Sequence, residues 1–346
     1  MRVGFLGAGL IATYHSKMLR ASGVDVQRAG VFDPDPERAA AFAAASGHTA
    51  MATEDEVLDT CDAVYVCTWT SEHRRLVEAA VNLGRHVFCE KPLATTLPDA
   101  VAMAGAAREA GVVHQVGLVL RRSPAYLWAR HLVRAPAAGR VMAVVFRDDQ
   151  FIPVQGHYAS TWRGDRERAG AGTLLEHSIH DLDMLRFLVG ELADVSARQA
   201  SFHGIEGIED VMGVSVGFAS GATGTLLSVW HDNLARPSLR RVEVFCERRY
   251  VAVEGDDWFG PVRWTDTDGS GGSLEDAELV AEAERLAEAS APWGVGSLNP
   301  DGDFVRCAQE GRPAWPDLDV AVAAHRAVDA CYRSAATGGV PVPAGP

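Results

Sequence analysis

The sequence predicts two domains of different construction: an α/β half on a doubly wound parallel sheet (residues 1–120), then an α+β half on a large, mainly antiparallel sheet (residues 121–346). Three observations carry that expectation. At 346 residues the chain is about twice the usual domain length. Up to about residue 120, short β-rich runs alternate with helix-period stretches, as in a parallel sheet with crossover helices. Beyond Arg121, strand patterns follow one another with few helices between them, which fits an antiparallel sheet.

In the first half, Arg2–Leu6, Val26–Phe32, Ala63–Thr68, His86–Cys89 and His114–Leu118 read as strands. Helical patterns cover Leu10–Ser22, Pro36–Ser46, Ser71–Leu83 and Leu97–Ala110, each with a glycine close to its expected stop. In the second half, strands are expected at Val141–Arg147, Ala193–Ser201, Val211–Phe218, Thr223–Trp230 and Arg241–Glu247. SGATG at 220–224 supplies a hairpin turn, its two glycines permitting positive φ. Helices are expected at Ser178–Val189, Leu274–Ala289, Asp301–Glu310 and Leu318–Ala336, and DTDGSGGS at 266–273 reads as a flexible surface loop.

Composition excludes several classes of function. A formal net charge of -14 is the wrong sign for tracking a phosphate backbone, so nucleic acid is not an expected partner. A chain that is 47% hydrophobic buries too much apolar surface to remain disordered. No run of 18 apolar residues suggests a membrane span, and the N-terminal MRVGFLGAGLIA enters a glycine turn with no cleavage site after an apolar core. A cytoplasmic protein is expected. The six cysteines form no CxxC pair and have no histidine at a zinc spacing, so no metal is expected. Cys67 and Cys89 lie in apolar runs and read as buried thiols.

Three motifs carry chemistry. Gly7-Ala8-Gly9-Leu10-Ile11-Ala12 is a GxGxxA between a strand and a helix, and Asp33 follows 26 residues after Gly7 at the end of the second strand. Gly7 permits the tight turn, Gly9 lets the backbone approach a pyrophosphate, Ala12 allows close packing of helix on strand, and the helix N-terminus faces the anion. Asp33 can accept from both ribose hydroxyls and would repel a 2′-phosphate, which argues for NAD over NADP. Arg38 could pair with a phosphate, but on the following helix it reads better as a solvated charge.

The second motif, Cys89-Glu90-Lys91-Pro92, sits at the carboxyl end of a strand, where open α/β sheets bind ligands. The Lys91 ammonium could stabilise a developing alkoxide, with Pro92 limiting where it points; an ordinary Glu90–Lys91 salt bridge is the competing reading. The third runs from Gly170 to Asp183. Ser178 and Asp181 form a capping box, and His180 and Asp183 share one helix face. A histidine in a first helical turn is kept neutral by the dipole, the state a general base requires; a half-buried histidine bonded to Asp183 is the structural alternative.

These three motifs, in this order and at these separations, resemble the glucose-fructose oxidoreductase / inositol dehydrogenase (Gfo/Idh/MocA) family over nearly the whole chain, including the C-terminal stretch DFVRCAQEGRPAWPDLDVAVAAHRAVDACYRSAATGGVPV. The resemblance implies an N-terminal Rossmann domain that binds NAD, and a C-terminal domain for substrate and oligomerisation. It makes Lys91 the catalytic lysine, His180 the base that takes the hydroxyl proton and Asp183 a substrate-hydroxyl ligand. Glu176 stands where relatives carry a supporting aspartate, and its extra methylene moves the carboxylate. Gly7, Gly9, Leu10, Ile11, Asp33, Thr68, Trp69, Ser71, His73, Glu90 and Lys91 are expected along the cofactor. Arg122, Trp162 and Arg163 match positions near nicotinamide and substrate, although surface arginines and a packing tryptophan would look the same. His157, Tyr158, Trp230 and His231 could line a polar pocket, or belong to the core. His86, His114 and His325 read as structural, and His15 as structural but close to the cofactor.

The activity so implied is an NAD-dependent dehydrogenase acting on a secondary alcohol of a cyclic sugar, inositol or polyol. A biosynthetic keto-sugar reductase, a retained-NAD enzyme of glycoside cleavage and a non-catalytic dinucleotide-binding protein are the alternatives. A sheet with one uncovered face implies a homodimer or homotetramer.

Overall fold

The computed structural model describes residues 1–155, 159–233, 235–289 and 297–345. In chain order its elements are β1 (Arg2–Leu6), α1 (Leu10–Ala21), β2 (Gln27–Phe32), α2 (Pro36–Ser46), β3 (Thr49–Ala50), α3 (Glu54–Thr60), β4 (Ala63–Val66), α4 (His73–Asn82), β5 (His86–Cys89), α5 (Leu97–Glu109), β6 (His114–Val116) and α6 (Pro124–Arg134). There follow β7 (Val141–Phe151), α7 (Arg166–Ala169), α8 (Thr173–Glu176), α9 (Ile179–Leu188), β8 (Leu192–Ala200), β9 (Val211–Phe218), β10 (Thr223–His231) and β11 (Leu239–Cys246). The chain ends with β12 (Arg249–Asp256), β13 (Gly260–Asp266), β14 (Gly271–Leu274), α10 (Asp276–Ala289), α11 (Pro300–Glu310), α12 (Leu318–Ala336) and β15 (Val342–Pro343). Among the described residues no helix is long and apolar enough to cross a membrane.

Two units emerge, Met1–Val119 with Ser290–Val322, and Leu120–Ala289 with Ala323–Pro346. The division expected after residue 120 places α11 in the second domain, whereas its Phe304 packs edge-on against Tyr65 and Phe88 of the first unit, with ring centroids 5.6 and 5.7 Å apart.

The first unit holds a six-stranded parallel sheet in the order β3-β2-β1-β4-β5-β6. Its central strands are buried on both faces, all four residues of β4 included, because crossover helices cover both sides. Local chemistry sets the helix ends. In α2, Asp35 accepts from the N–H groups of Glu37 and Arg38, Pro36 opens the helix, and Gly47 closes it at φ 82°. The strand order reverses at β1, between β2 and β4, so the loops after β1 and β4 diverge and leave the crevice where such sheets take ligands.

The second unit is a nine-stranded sheet in the order β14-β13-β12-β11-β7-β10-β9-β8-β15, antiparallel except where β10 runs parallel to β7. Along β10, Gly224, Leu226, Ser228 and Trp230 are buried while Thr225 and Leu227 are exposed, which marks one covered and one open face. The 220–224 turn forms as expected between β9 and β10, but Gly221 alone takes positive φ (88°); Gly224 is small because an added Cβ would lie 2.5 Å from Val144 Cγ1. The glycine run at 266–273 is a surface loop only at 267–270; its ends are strand. It is the β13–β14 hairpin, in which Gly271 and Gly272 let the edge strand lie against Trp264, leaving 2.3 Å to its carbonyl and 2.5 Å to its ring for any added Cβ. All six cysteines are buried and unbridged.

Candidate active site

In the first unit the chain leaves β1 at Gly7, whose φ of 91° and 2.4 Å clearance to the Cys67 carbonyl exclude any side chain. Gly9 is the N-cap of α1 in extended conformation, and nothing lies within 4 Å of where its Cβ would be. No side chain caps α1 and no acid occupies its first turn, so the first-turn N–H groups present a positive end to an open space. Leu10 and Ile11 are exposed beside that space, while Ala12 is wholly buried. This is a cradle that fits an anionic dinucleotide.

Asp33 stands one residue past β2, its Oδ2 accepting the Ala8 N–H at 2.8 Å and its Oδ1 the Asp35 N–H at 2.9 Å. Arg38, expected to be a solvated charge, is exposed on α2, and it also reaches Asp33 Oδ1 at 3.2 Å and pairs with Asp35, because the first turn of α2 brings it back over the strand end.

Of the residues expected along the cofactor after β4, Thr68 and Trp69 are half-buried and Ser71 is exposed. His73 is different: it is 1% exposed, with Nδ1 facing the Pro92 carbonyl at 3.0 Å and Nε2 the Thr68 carbonyl at 3.3 Å. Burial removes it from ligand contact and makes it a brace between two loops. Glu90 is braced as well. It is buried, Oε1 meeting His15 Nε2 at 2.8 Å and Oε2 accepting the Lys91 backbone N–H at 3.0 Å. Burial works against its ionisation, but His15 and Lys91 outweigh that and hold its pKa below the usual carboxylate value. Lys91 itself follows β5 and is half-buried.

In the second unit, α9 begins at Ile179 and presents His180 in its first turn. The expected capping box does not form. Ser178 donates instead to Ser228 Oγ at 2.6 Å, and Asp181 accepts from Arg240 Nε at 2.9 Å, so tertiary partners take both side chains. Asp183, expected to touch substrate, has no exposed surface, and both its oxygens are taken by Arg121 at 2.7 Å. Arg122, expected at the substrate or on the surface, is fully buried. Trp162, Arg163 and Glu176 do come together: Arg163 Nε donates to Glu176 Oε1 at 2.6 Å, and its guanidinium lies 4.9 Å from the Trp162 ring.

Gly170 takes a φ of 89°, and Gly172 is fixed by Glu209. That carboxylate accepts from the N–H groups of Gly172 and Leu174 and from the Tyr332 hydroxyl, and a Cβ on Gly172 would lie 1.9 Å from the Glu209 carbonyl. Trp230 belongs to the core with Ile152 and Ile208 rather than to a pocket, and His231 pairs with Asp149. His157 and Tyr158 lie outside the described residues.

Arg121, Glu209 and Arg240 were not singled out from the sequence. Arg240 joins Asp148, Asp181 and Asp257 in a buried cluster that His177 enters through Asp148 at 2.7 Å. Burial and the adjoining Asp148 push the Asp181 carboxyl well up, whereas at Asp148 the Arg240 and His177 charges overcome burial and hold the pKa down. One compositional signal does single out Lys91: of 32 basic side chains, Lys17 and Lys91 are the only lysines. Among the described residues no cluster could hold a metal ion.

Comparison with known proteins identifies relatives of both halves of the chain. A family model described as "Oxidoreductase family, NAD-binding Rossmann fold" matches residues 1–118, and one described as "GFO/IDH/MocA C-terminal domain" matches residues 126–252. The chain is 36% identical over 239 residues to the 1,5-anhydro-D-fructose reductase of Ensifer adhaerens, covering 67% of this chain and 68% of that one. It is 30% identical over 258 residues to the myo-inositol 2-dehydrogenase of Thermotoga maritima, covering 71% and 72%. Its fold matches a levoglucosan dehydrogenase in complex with NADH and levoglucosan, with TM-score 0.86, 22% identity and coverage of 100% and 99%.

Proposed function

The chain belongs to the GFO/IDH/MocA family of NAD-binding oxidoreductases, and on that premise we propose that it transfers hydride to or from a secondary alcohol carbon of a cyclic sugar, inositol or polyol. The α1 N-terminus and the Gly7–Gly9 turn would hold the pyrophosphate, with Asp33 on the ribose hydroxyls. Bound nicotinamide supplies the centre that accepts or returns the hydride.

The remaining work belongs to side chains. His180 takes the hydroxyl proton, and the Lys91 ammonium donates to the same oxygen as negative charge gathers on it. Reduction runs through the same two groups in reverse. Asp183, buried beneath Arg121, serves by fixing that guanidinium. Trp162 offers a ring face suited to the C–H face of a sugar, and Glu176 steadies Arg163 against it.

The observation that carries this reading is Lys91 at the carboxyl end of β5. A chain that uses arginine nearly everywhere keeps a lysine there, and an ammonium is the compact, rotatable donor that a single developing alkoxide needs. The relatives named above support a cyclic carbohydrate or inositol as substrate, and the 36% identity to a reductase supports a keto-sugar reduced in the forward direction as the second reading. We also propose a homodimer or homotetramer formed through the open sheet face, where Val145, Leu227 and Phe245 are 43%, 42% and 37% exposed.

The test is a panel of cyclic sugars, inositols and polyols with NAD, and of their ketones with NADH, followed at the nicotinamide absorption band. Turnover on a related subset is expected. No absorbance change with any member in either direction would remove the reading.

A further inference from the structure

Lys91 is held from both sides by two histidines to which the reaction above gives no role. On its N-terminal side, one carboxylate joins it to α1: Glu90 Oε2 accepts the Lys91 backbone N–H at 3.0 Å and Oε1 meets His15 Nε2 at 2.8 Å. His15 has no exposed surface, and its other ring nitrogen meets Asp301 Oδ1, in the first turn of α11, at 2.7 Å. Tyr65 and Phe88 enclose the ring at centroid distances of 5.7 and 4.8 Å. Gly117 completes the seat of Glu90, since a Cβ there would lie 2.2 Å from Oε1.

On the C-terminal side, His73 opens α4 and faces the carbonyls of Pro92 and Leu93 with Nδ1, at 3.0 and 3.3 Å, while Nε2 faces the carbonyl of Thr68. Residues 90, 92 and 93 are therefore tied to α1 and α4, and the residue between them bears the ammonium. The two rings differ in charge. Burial opposes protonation at both, but at His15 the Asp301 and Glu90 carboxylates outweigh it and raise the pKa to about 10, whereas at His73 burial prevails and lowers it.

Charged His15 donates from both ring nitrogens, and neutral His73 carries one N–H, which the shorter contact places on Nδ1 toward the Pro92 carbonyl, so a shift of either histidine passes to the peptide that carries Lys91. We propose that His15 and His73 are positioning residues for Lys91, fixing the backbone on both sides of it so that its ammonium keeps one direction. This rests on the reading of Lys91 as the group that stabilises the alkoxide. Displacements of about 1 Å at such a group cost on the order of 100-fold in rate, which is why two buried side chains would be committed to it.

The two-lysine composition permits a readout independent of activity. Reductive ¹³C-methylation of the full chain gives resonances for Lys17, Lys91 and the N-terminus, with Lys91 assigned through Lys91→Arg. His15→Gln and His73→Gln are each expected to move the Lys91 resonance by more than its linewidth. With substrate, each should lower kcat by about 10- to 100-fold with NAD affinity changed less than about 3-fold, and cost less than about 2-fold once Lys91→Met is present. If His15→Gln does not fold, Glu90→Gln tests the same link at constant volume; His73→Asn does so on the other side. An unmoved Lys91 resonance, or equal losses with and without Lys91, overturns the proposal. Near-normal turnover in Lys91→Met would instead overturn the functional reading, and the resonance measurement would still decide whether the histidines hold the lysine.

Discussion

Arg121 grips Asp183 through two parallel hydrogen bonds, Nε to Oδ2 and Nη2 to Oδ1, each 2.7 Å, with the carboxylate wholly buried. Removing one member strands a charge in a low-dielectric interior, so Asp183→Ala is expected to cost about 3–5 kcal/mol in chemical denaturation. Replacing both, as Arg121→Met with Asp183→Leu, should recover part of that loss. A double variant no more stable than the single would show that the pair is not an isolated unit.

Asp33 is turned toward the glycine loop by the Ala8 N–H on Oδ2, and Arg38 lies 3.2 Å from Oδ1, which also accepts the Asp35 N–H. Asp33→Ser removes the charge that repels a 2′-phosphate and releases Arg38 to bind one. The ratio of kcat/KM for NADP to that for NAD should rise about 10-fold or more, and Arg38→Ala in that background should reverse the gain. Unchanged selectivity would count against the ribose assignment.

The glycines separate folding from binding. Gly172→Ala forces a Cβ to 1.9 Å from a backbone oxygen, and Gly7→Ala adds a 2.4 Å clash to a positive φ, so each should lose about 2–4 kcal/mol or fail to fold. Gly9→Ala meets nothing within 4 Å and should melt close to wild type while binding NAD more weakly. Wild-type NAD affinity in Gly9→Ala would mean that the pyrophosphate lies elsewhere.

His15 links stability to pH. Its folded pKa of about 10 lies above the ordinary 6.5, so between those values the native state binds the extra proton and stability falls as pH rises. Below 6.5 the contribution is complete. His48 acts in the opposite sense: burial lowers its pKa to about 4, and the stability it adds above 6.5 is lost as pH falls. His15→Gln should flatten the decline between pH 6.5 and 10, by at most about 1.4 kcal/mol per pH unit. Parallel stability profiles for wild type and variant would contradict a charged His15.

Association should follow the open sheet face. Val145→Asp or Leu227→Asp is expected to shift sedimentation toward the monomer while leaving the circular dichroism spectrum intact. A monomeric wild type would end that proposal.

Local chemistry was legible wherever one segment decides its own conformation. The bounds of β1 and β5 follow from short apolar runs, those of β9 from strand alternation, those of α2 from an Asp35 cap and a Gly47 stop, and the GxGxxA turn follows from its spacing. The same local signals were passed over at α3, where Thr53 caps a first turn of three acids. They misled at β14, whose glycines serve a close approach to Trp264 rather than flexibility.

What the amino-acid order determined by itself is therefore the punctuation of the chain and the identity of its reactive side chains, because turns, caps and helix faces depend on neighbours a few residues apart. The tertiary structure decided the partners. His15 finds Asp301 at a separation of 286 residues, Asp183 finds Arg121 at 62, and Arg240 finds Asp148 at 92. No spacing rule spans such intervals, since a buried charge is satisfied by whichever group the packing brings within about 3 Å, wherever that group lies along the backbone.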